Sequence, residues 1–270
     1  MNESKKIKLE DIKRKGAFVL PSMFTLGNMA FGFFSVLAAS NKEYLTACYF
    51  LIGSYFMDVM DGRIARLVHG ESRFGVEFDS FADFMSFCVA PAYLMYNFGL
   101  KEYGFWAYPV SFLYVLCGAL RLARFNLKSL DGESSKKFFQ GLPTPAAAGI
   151  IISFVLSYSL LEADEPGRKI AFINYGMPYI YAFFPFIMIG LSLLMVSSVP
   201  YAAFKSGNLF RLKSVSGIII SVSIISMIIA FPQNSLFIFF SFYALSGIIL
   251  LIYLSIFPKK EKEDDCPKNE

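Results

Sequence analysis

Asp58-Val59-Met60-Asp61-Gly62-Arg63-Ile64-Ala65-Arg66 ends an apolar run that starts near Tyr44, and after eight more residues the chain continues as Gly75, three residues, Asp79, three residues, Asp83. Residues three or four apart share a face of an α-helix, so Asp58 and Asp61 point one way from one helix and Asp79 and Asp83 point one way from the next. The short connection between the helices reverses the chain. The two acidic faces are therefore expected to lie opposite each other, in a hairpin of two helices.

What surrounds this hairpin sets the solvent. Of 270 residues, 56% are hydrophobic, 17% are charged and 31 are Phe. An average soluble domain is about 25% charged. A water-facing surface cannot be covered with so few polar side chains, so lipid is the expected solvent. A helix needs about 20 mainly apolar residues to cross the hydrocarbon core. Eight stretches reach or approach that length: 18–39, 44–68, 79–99, 104–125, 142–161, 177–199, 214–231 and 235–257. The expected fold class is thus an all-α integral membrane protein, a polytopic bundle of about eight transmembrane helices. Val36-Leu37-Ala38-Ala39 resembles a signal-peptide cleavage site, but a polar lead of about 17 residues and a long apolar run argue for a retained span.

Lys and Arg orient the bundle, because positively charged loops stay on the cytoplasmic side. With the N-terminus inside, only Lys42, Lys101, Arg168 and Lys169 of the 25 basic residues fall outside. Both termini are therefore expected in the cytoplasm of a multi-pass protein of the cell (inner) membrane. The polar tails are read as surface extensions, the basic N-terminal one being a topology signal or an interfacial helix. No internal repeat suggests an inverted-repeat transporter.

The rest of the composition narrows the chemistry. The cysteines Cys48, Cys88, Cys117 and Cys266 are widely spaced without a CxxC pair, so they are read as packing residues rather than as a disulfide or zinc framework. One histidine, His69, excludes His-rich zinc chemistry and makes a Ser-His-Asp triad a poor fit. Carboxylates are left to carry the reaction. An Asp at the centre of a membrane helix costs about 2.5–3.5 kcal/mol, so four at one depth need a reason. Converging carboxylates repel unless cations sit between them, and an all-oxygen set suits hard ions such as Mg²⁺, Mn²⁺ or Ca²⁺. The reading is a site for two divalent ions held by Asp58, Asp61, Asp79 and Asp83. Gly62, Ala65 and Gly75 lie on the same stripes, where small side chains admit a bulky ligand, and Arg66 is placed to meet phosphate. The alternative is structural ion pairing of Asp61 with Arg66 or Asp58 with Arg63, but packing alone does not require four acids in helical phase.

These positions resemble the signature of the CDP-alcohol phosphatidyltransferases, D-x2-D-G-x2-A-R-x8-G-x3-D-x3-D, and fill every fixed place with Asp58, Asp61, Gly62, Ala65, Arg66, Gly75, Asp79 and Asp83. The resemblance implies a six-helix core, homodimeric, with a cytoplasm-facing site for two divalent metals, Mg²⁺ or Mn²⁺. It would cover residues 18–205, between a cytoplasmic segment 1–17, two additional helices in 206–257 and a cytoplasmic tail 258–270. By position it makes Asp58, Asp61 and Asp79 metal ligands, Asp83 both ligand and general base, and Gly62, Ala65, Arg66 and Gly75 holders of the CDP portion.

Three further stretches resemble the integral-membrane phosphatidylserine synthases within that family: Thr25-Leu26-Gly27-Asn28, Gly118 to Asn126, and Phe139 to Ala146. Met195 to Ser198 and Phe204-Lys205 agree more weakly. The implied reaction joins CDP-diacylglycerol to L-serine, giving phosphatidylserine and CMP, with membrane lipid as the surrounding partner and no role for nucleic acid. Arg121, Arg124 and Asn126 are candidates for the acceptor or a phosphate, although the two arginines could instead anchor the helix end at lipid headgroups. Asn28 is a candidate contact to the CDP-lipid, or else a helix-packing residue. Lys136 and Lys137 could meet a headgroup or phosphate, or be solvated charges. Gly141-Leu142-Pro143-Thr144-Pro145 should form a rigid lead-in before the fifth span, since a residue before proline is pushed out of the α region. Glycerol 3-phosphate and an inositol phosphate are the other acceptors considered, and an ether-linked lipid the other donor. A transporter using intramembrane Asp would spread its acids along a path, whereas these cluster at one depth.

Overall fold

The computed structural model describes residues 3–68, 73–130, 138–162, 171–202 and 232–256. Helix α1 (Glu3–Ser40) turns tightly into α2 (Tyr44–Val68). After α3 (Arg73–Asp83) come a π-helical segment (Phe84–Val89), α4 (Ala90–Phe98) and a 3₁₀ segment (Leu100–Trp106). Then follow α5 (Ala107–Leu130), β1 (Phe138–Gln140), α6 (Thr144–Glu162), α7 (Ala171–Val196), β2 (Pro200–Ala202) and α8 (Pro232–Ile256). The chain is a helical membrane protein, and among the described residues the strands are one antiparallel pair of three residues each, with Phe139 opposite Tyr201.

Four described helices are long and apolar enough to cross a membrane, in the stretches Ser22–Ser40, Leu100–Leu127, Tyr179–Val196 and Asn234–Ile252. Thr144–Ser159 is apolar but shorter. The expected second and third spans are also helical, but the aspartates they carry lower their hydropathy. The expected seventh span, 214–231, lies outside the described residues, as do Lys136, Lys137, Lys205, His69, Cys266 and the tail 258–270. Helix α1 runs unbroken from Glu3 through the first span.

Local chemistry explains the breaks. At the end of α1, the Glu43 N–H donates to the Ala38 carbonyl at 3.0 Å and the Lys42 N–H to the Ala39 carbonyl at 3.1 Å, with Lys42 at φ 63°. This is the paired-bond C-terminal cap, with a lysine where glycine is usual. The expected third span, 79–99, is not one regular helix. Pro91 has no N–H and its ring crowds the carbonyl four residues back, so the preceding turn widens and Ala90 bonds to the Met85 carbonyl five residues earlier. Gly104, at φ 60°, lets the chain turn into α5.

The helices pack α1 along α2, α5 along α7 and α6 along α8. Phe154 stacks on Phe184 at 4.2 Å, and Phe98 meets Tyr158 edge-on at 5.5 Å, which puts the aromatic core among α4, α6 and α7. Close approach of α8 depends on two glycines: a side chain at Gly149 would strike the Phe240 ring and one at Gly247 the Tyr201 ring. Phe112, Phe183, Phe186 and Phe242 face outward, the apolar coat that a lipid-facing surface needs. Cys48, Cys88 and Cys117 are buried and free, in line with packing roles.

Candidate functional site

Three of the four aspartates converge. Asp58 on α2 and Asp79 and Asp83 on α3 each offer a carboxylate oxygen within 4.8 Å of the others. Asp79 Oδ1 is buried and makes no hydrogen bond. A buried, unpartnered carboxylate oxygen facing two more carboxylates is costly unless a cation takes up the charge. This donor set fits a divalent ion that prefers oxygen ligands. Asp61 is held separately: the Thr25 hydroxyl of α1 donates to its Oδ2. It remains an electrostatic neighbour of Asp58 and Asp79.

The first helix organises these acids. Thr25 and Asn28 lie three residues apart on one face of α1, and each donates to a different acid-bearing helix. The Asn28 Nδ2 donates to Asp83 Oδ1 at 3.2 Å, and the Ser54 hydroxyl of α2 donates to Asn28 Oδ1. The Ser86 hydroxyl, three residues past Asp83, donates to the Asn28 carbonyl at 2.9 Å. One turn on, a Cβ at Gly32 would come within 2.9 Å of the Ser86 Cα, so α1 meets the π segment backbone to backbone. Asn28, Ser54 and Ser86 are fully buried.

The small residues of the signature flank the acids. Gly62 and Ala65 are half-buried one turn beyond Asp58 and Asp61, and Gly75 is half-buried one turn before Asp79. The backbone of Arg66 continues α2, but its side chain lies outside the described residues.

Arg121, Arg124 and Asn126, grouped in the sequence reading, have three different surroundings. Arg121 is half-buried, with Nη1 donating to the Thr144 hydroxyl at 3.5 Å and a buried Nε that makes no hydrogen bond. It is an electrostatic neighbour of Asp83 and of Tyr243. Arg124 instead caps the end of α7: Nη1 donates to the Val196 carbonyl at 2.8 Å, and Nη2 lies 3.2–3.3 Å from the carbonyls of Met195, Ser197 and Gln140. A helix C-terminus leaves such carbonyls unpaired and slightly negative, which suits a guanidinium. Asn126 latches α5 to α3, donating to Ser80 Oγ at 2.9 Å and to Glu77 Oε2 at 3.4 Å.

The lead-in to α6 is stitched to the same end of α7. Gly141 N–H donates to the Val199 carbonyl at 2.9 Å and Leu142 N–H to the Leu194 carbonyl at 3.0 Å. Gly141 sits at φ 81°, where a side chain would strike the Met195 carbonyl. This seats Thr144, fully buried, beside Arg121. Tyr55, one turn before Asp58, donates its hydroxyl to the Pro145 carbonyl and packs on Phe87 at 4.6 Å.

Sequence reasoning gave no role to Thr25, Ser54, Ser86, Thr144 or Tyr55. The available signal was phase: Thr25 is three residues from Asn28, Ser54 is four from Asp58, and Ser86 is three from Asp83.

Fold and site together define a polytopic helical membrane protein with an acidic centre between its first three helices. Residues 18–196 match the sequence model of the CDP-alcohol phosphatidyltransferases, and the chain belongs to that family of transferases. It is 33% identical over 242 residues to a Helicobacter pylori protein named CDP-diacylglycerol–serine O-phosphatidyltransferase, covering 88% of this chain and 93% of that one. A Methanothermobacter thermautotrophicus archaetidylserine synthase is 34% identical over 200 residues, 72% of this chain and 73% of its own. A Bacillus subtilis protein with the same name as the Helicobacter one is 30% identical over 197 residues, 96% of its length but 72% of this chain.

Proposed function

We propose that this chain transfers the phosphatidyl group of CDP-diacylglycerol to L-serine and releases CMP. The observation that carries the reading is the convergence of Asp58, Asp79 and Asp83 within 4.8 Å, in a chain of this family. The serine-specific names of its relatives support the choice of acceptor.

Asp58, Asp79 and Asp83 would hold Mg²⁺ or Mn²⁺, with Asp61 completing a two-ion set. When bound, the ions offset the negative charge that builds up on the diphosphate as CMP departs. Gly62, Ala65, Gly75 and Arg66 receive the CDP portion of the donor. Asp83 takes the proton of the serine hydroxyl as its oxygen forms a bond to the lipid-side phosphorus, and the bond from that phosphorus to the CMP oxygen breaks. Arg121 is the acceptor-site residue we favour of the three candidates, because its Nε makes no hydrogen bond and Asp83 is its neighbour. Serine's carboxylate suits a guanidinium.

The protein works in the cell membrane as a homodimer of eight-span chains, with both termini and the acidic centre at the cytoplasmic face. The charge distribution of the loops supports this orientation. Serine and CMP then exchange with the cytoplasm while the acyl chains stay in lipid.

The test is CMP release by the purified protein in detergent with CDP-diacylglycerol and Mn²⁺, comparing L-serine, glycerol 3-phosphate, inositol phosphate and no acceptor. Release stimulated by L-serine alone is the expected result. Stimulation by one of the phosphorylated acceptors alone would overturn the choice of serine, and no release with any of them would overturn the transferase reading. An ether-linked CDP-lipid run in parallel decides between acyl and ether donors.

A further inference from the structure

We propose that Asn28 is a positioning residue that sets the plane of the Asp83 carboxylate, seated for the task by Ser54. The chemistry of the three groups fixes the direction of the chain of bonds. An ionised carboxylate only accepts hydrogen bonds, so the amide must turn its NH₂ toward Asp83 and its oxygen toward Ser54. The Ser54 hydroxyl must then donate, as it does to Oδ1, and the Asn28 Nδ2 lies 3.2 Å from Asp83 Oδ1. Without the Ser54 proton the amide could rotate by half a turn and present oxygen to oxygen.

The backbone under Asn28 is equally constrained. Ser86 donates to its carbonyl at 2.9 Å, and Gly32 brings α1 against the Ser86 backbone. Since Ser86 is three residues past Asp83, the same contact that fixes Asn28 also fixes the helix that carries Asp83. A carboxylate has two oxygens and several lone pairs. One bond from Asn28 therefore orients the group and leaves capacity for a cation and for a proton. Asn28 is fully buried with its amide engaged on both sides. The orienting role is the alternative to a direct contact between Asn28 and the CDP-lipid.

The inference rests on the proposed function only for the role of Asp83, and one arm of its test needs no acceptor. Asn28→Leu removes the donor at similar volume. Ser54→Ala keeps Asn28 but frees its amide, and Ser54→Thr restores the hydroxyl. For full-length protein purified in detergent, we measure Mn²⁺ affinity by the electron paramagnetic resonance of free Mn²⁺. We also measure kcat and KM for both substrates, and the melting temperature.

Groups that orient metal-site ligands typically contribute about 10–100-fold to affinity or rate. The expected result for Asn28→Leu is Mn²⁺ affinity and kcat each lowered about tenfold or more, with KM for CDP-diacylglycerol within about twofold of the parent. Ser54→Ala should show the same pattern, smaller, and Ser54→Thr should return both values toward the parent. A raised KM for CDP-diacylglycerol with Mn²⁺ affinity and kcat unchanged would make Asn28 a lipid contact and overturn the proposal. So would a lowered melting temperature with none of the three constants altered. If Asn28→Leu does not fold, the Ser54 pair decides: Mn²⁺ affinity equal in Ser54→Ala and the parent rejects the orienting role. A protein that binds Mn²⁺ in the expected order of variants, yet transfers to no acceptor, would overturn the proposed function and leave this inference standing.

Discussion

The guanidinium of Arg124 on α5 lies 2.8 Å from the carbonyl of Val196, the last residue of α7. An arginine that the sequence places beside a candidate acceptor arginine thus ties two helices and the β1 lead-in together. Arg124→Ala should lower stability by about 2 kcal/mol, the scale for losing charge-assisted bonds to carbonyls. The check is the melting temperature in detergent, which should fall while KM for serine in the folded fraction changes little. A raised serine KM at unchanged melting temperature would return Arg124 to the acceptor site.

Gly141 should tolerate no side chain. At φ 81° any other residue is strained, by about 1–3 kcal/mol. The added Cβ would also strike the Met195 carbonyl. Gly141→Ala is expected to destabilise at least as much as Arg124→Ala, by the same melting measurement. Because the two residues secure one junction, the double variant should lose less than the sum of the two losses.

Asp83→Asn keeps the shape of the side chain but cannot take the serine proton. Turnover should fall by at least about 10²-fold, the lower bound for losing a general base. Binding of CDP-diacylglycerol, followed by equilibrium titration of the purified variant, should persist. An active Asp83→Asn enzyme would remove Asp83 from the proton-accepting role.

Chelation addresses the acidic cluster. EDTA should abolish CMP release, and added Mg²⁺ or Mn²⁺ should restore it. Mn²⁺ should also raise the melting temperature of the parent, because an ion that binds only the folded protein stabilises it by mass action. Asp79→Ala removes the carboxylate whose buried oxygen makes no hydrogen bond, so it should blunt that Mn²⁺-dependent rise.

Most of the described helices were legible because they lie in apolar runs near bilayer length; α3, Arg73–Asp83, is too short and too polar for that signal and begins ahead of the expected span. The expected second span, 44–68, and the helix Tyr44–Val68 coincide. The convergence of Asp58, Asp79 and Asp83 followed from helical phase and from the short connection that reverses the chain. The π segment was not legible, because hydropathy is blind to which carbonyl an N–H reaches; only Pro91 carried a hint. Nor were the separate surroundings of Arg121 and Arg124 legible. At i and i+3 both point to one side of α5, and only the arrival of the α7 terminus beside Arg124 distinguishes them. Thr25 and Asn28 belong to a helix far from the aspartates in the chain, so their bonds to Asp61 and Asp83 are tertiary facts.

The wide turn at Phe84–Val89 follows immediately on Asp83 and spends one more residue than an α-helix of the same rise. Removing any one of its six residues would let an ordinary helix close. A turn that absorbs its extra residue within the same rise leaves the helices on either side in nearly the register of an uninterrupted α-helix. What the extra residue alters is local: Ser86, whose hydroxyl reaches the Asn28 carbonyl, stands inside the widened stretch.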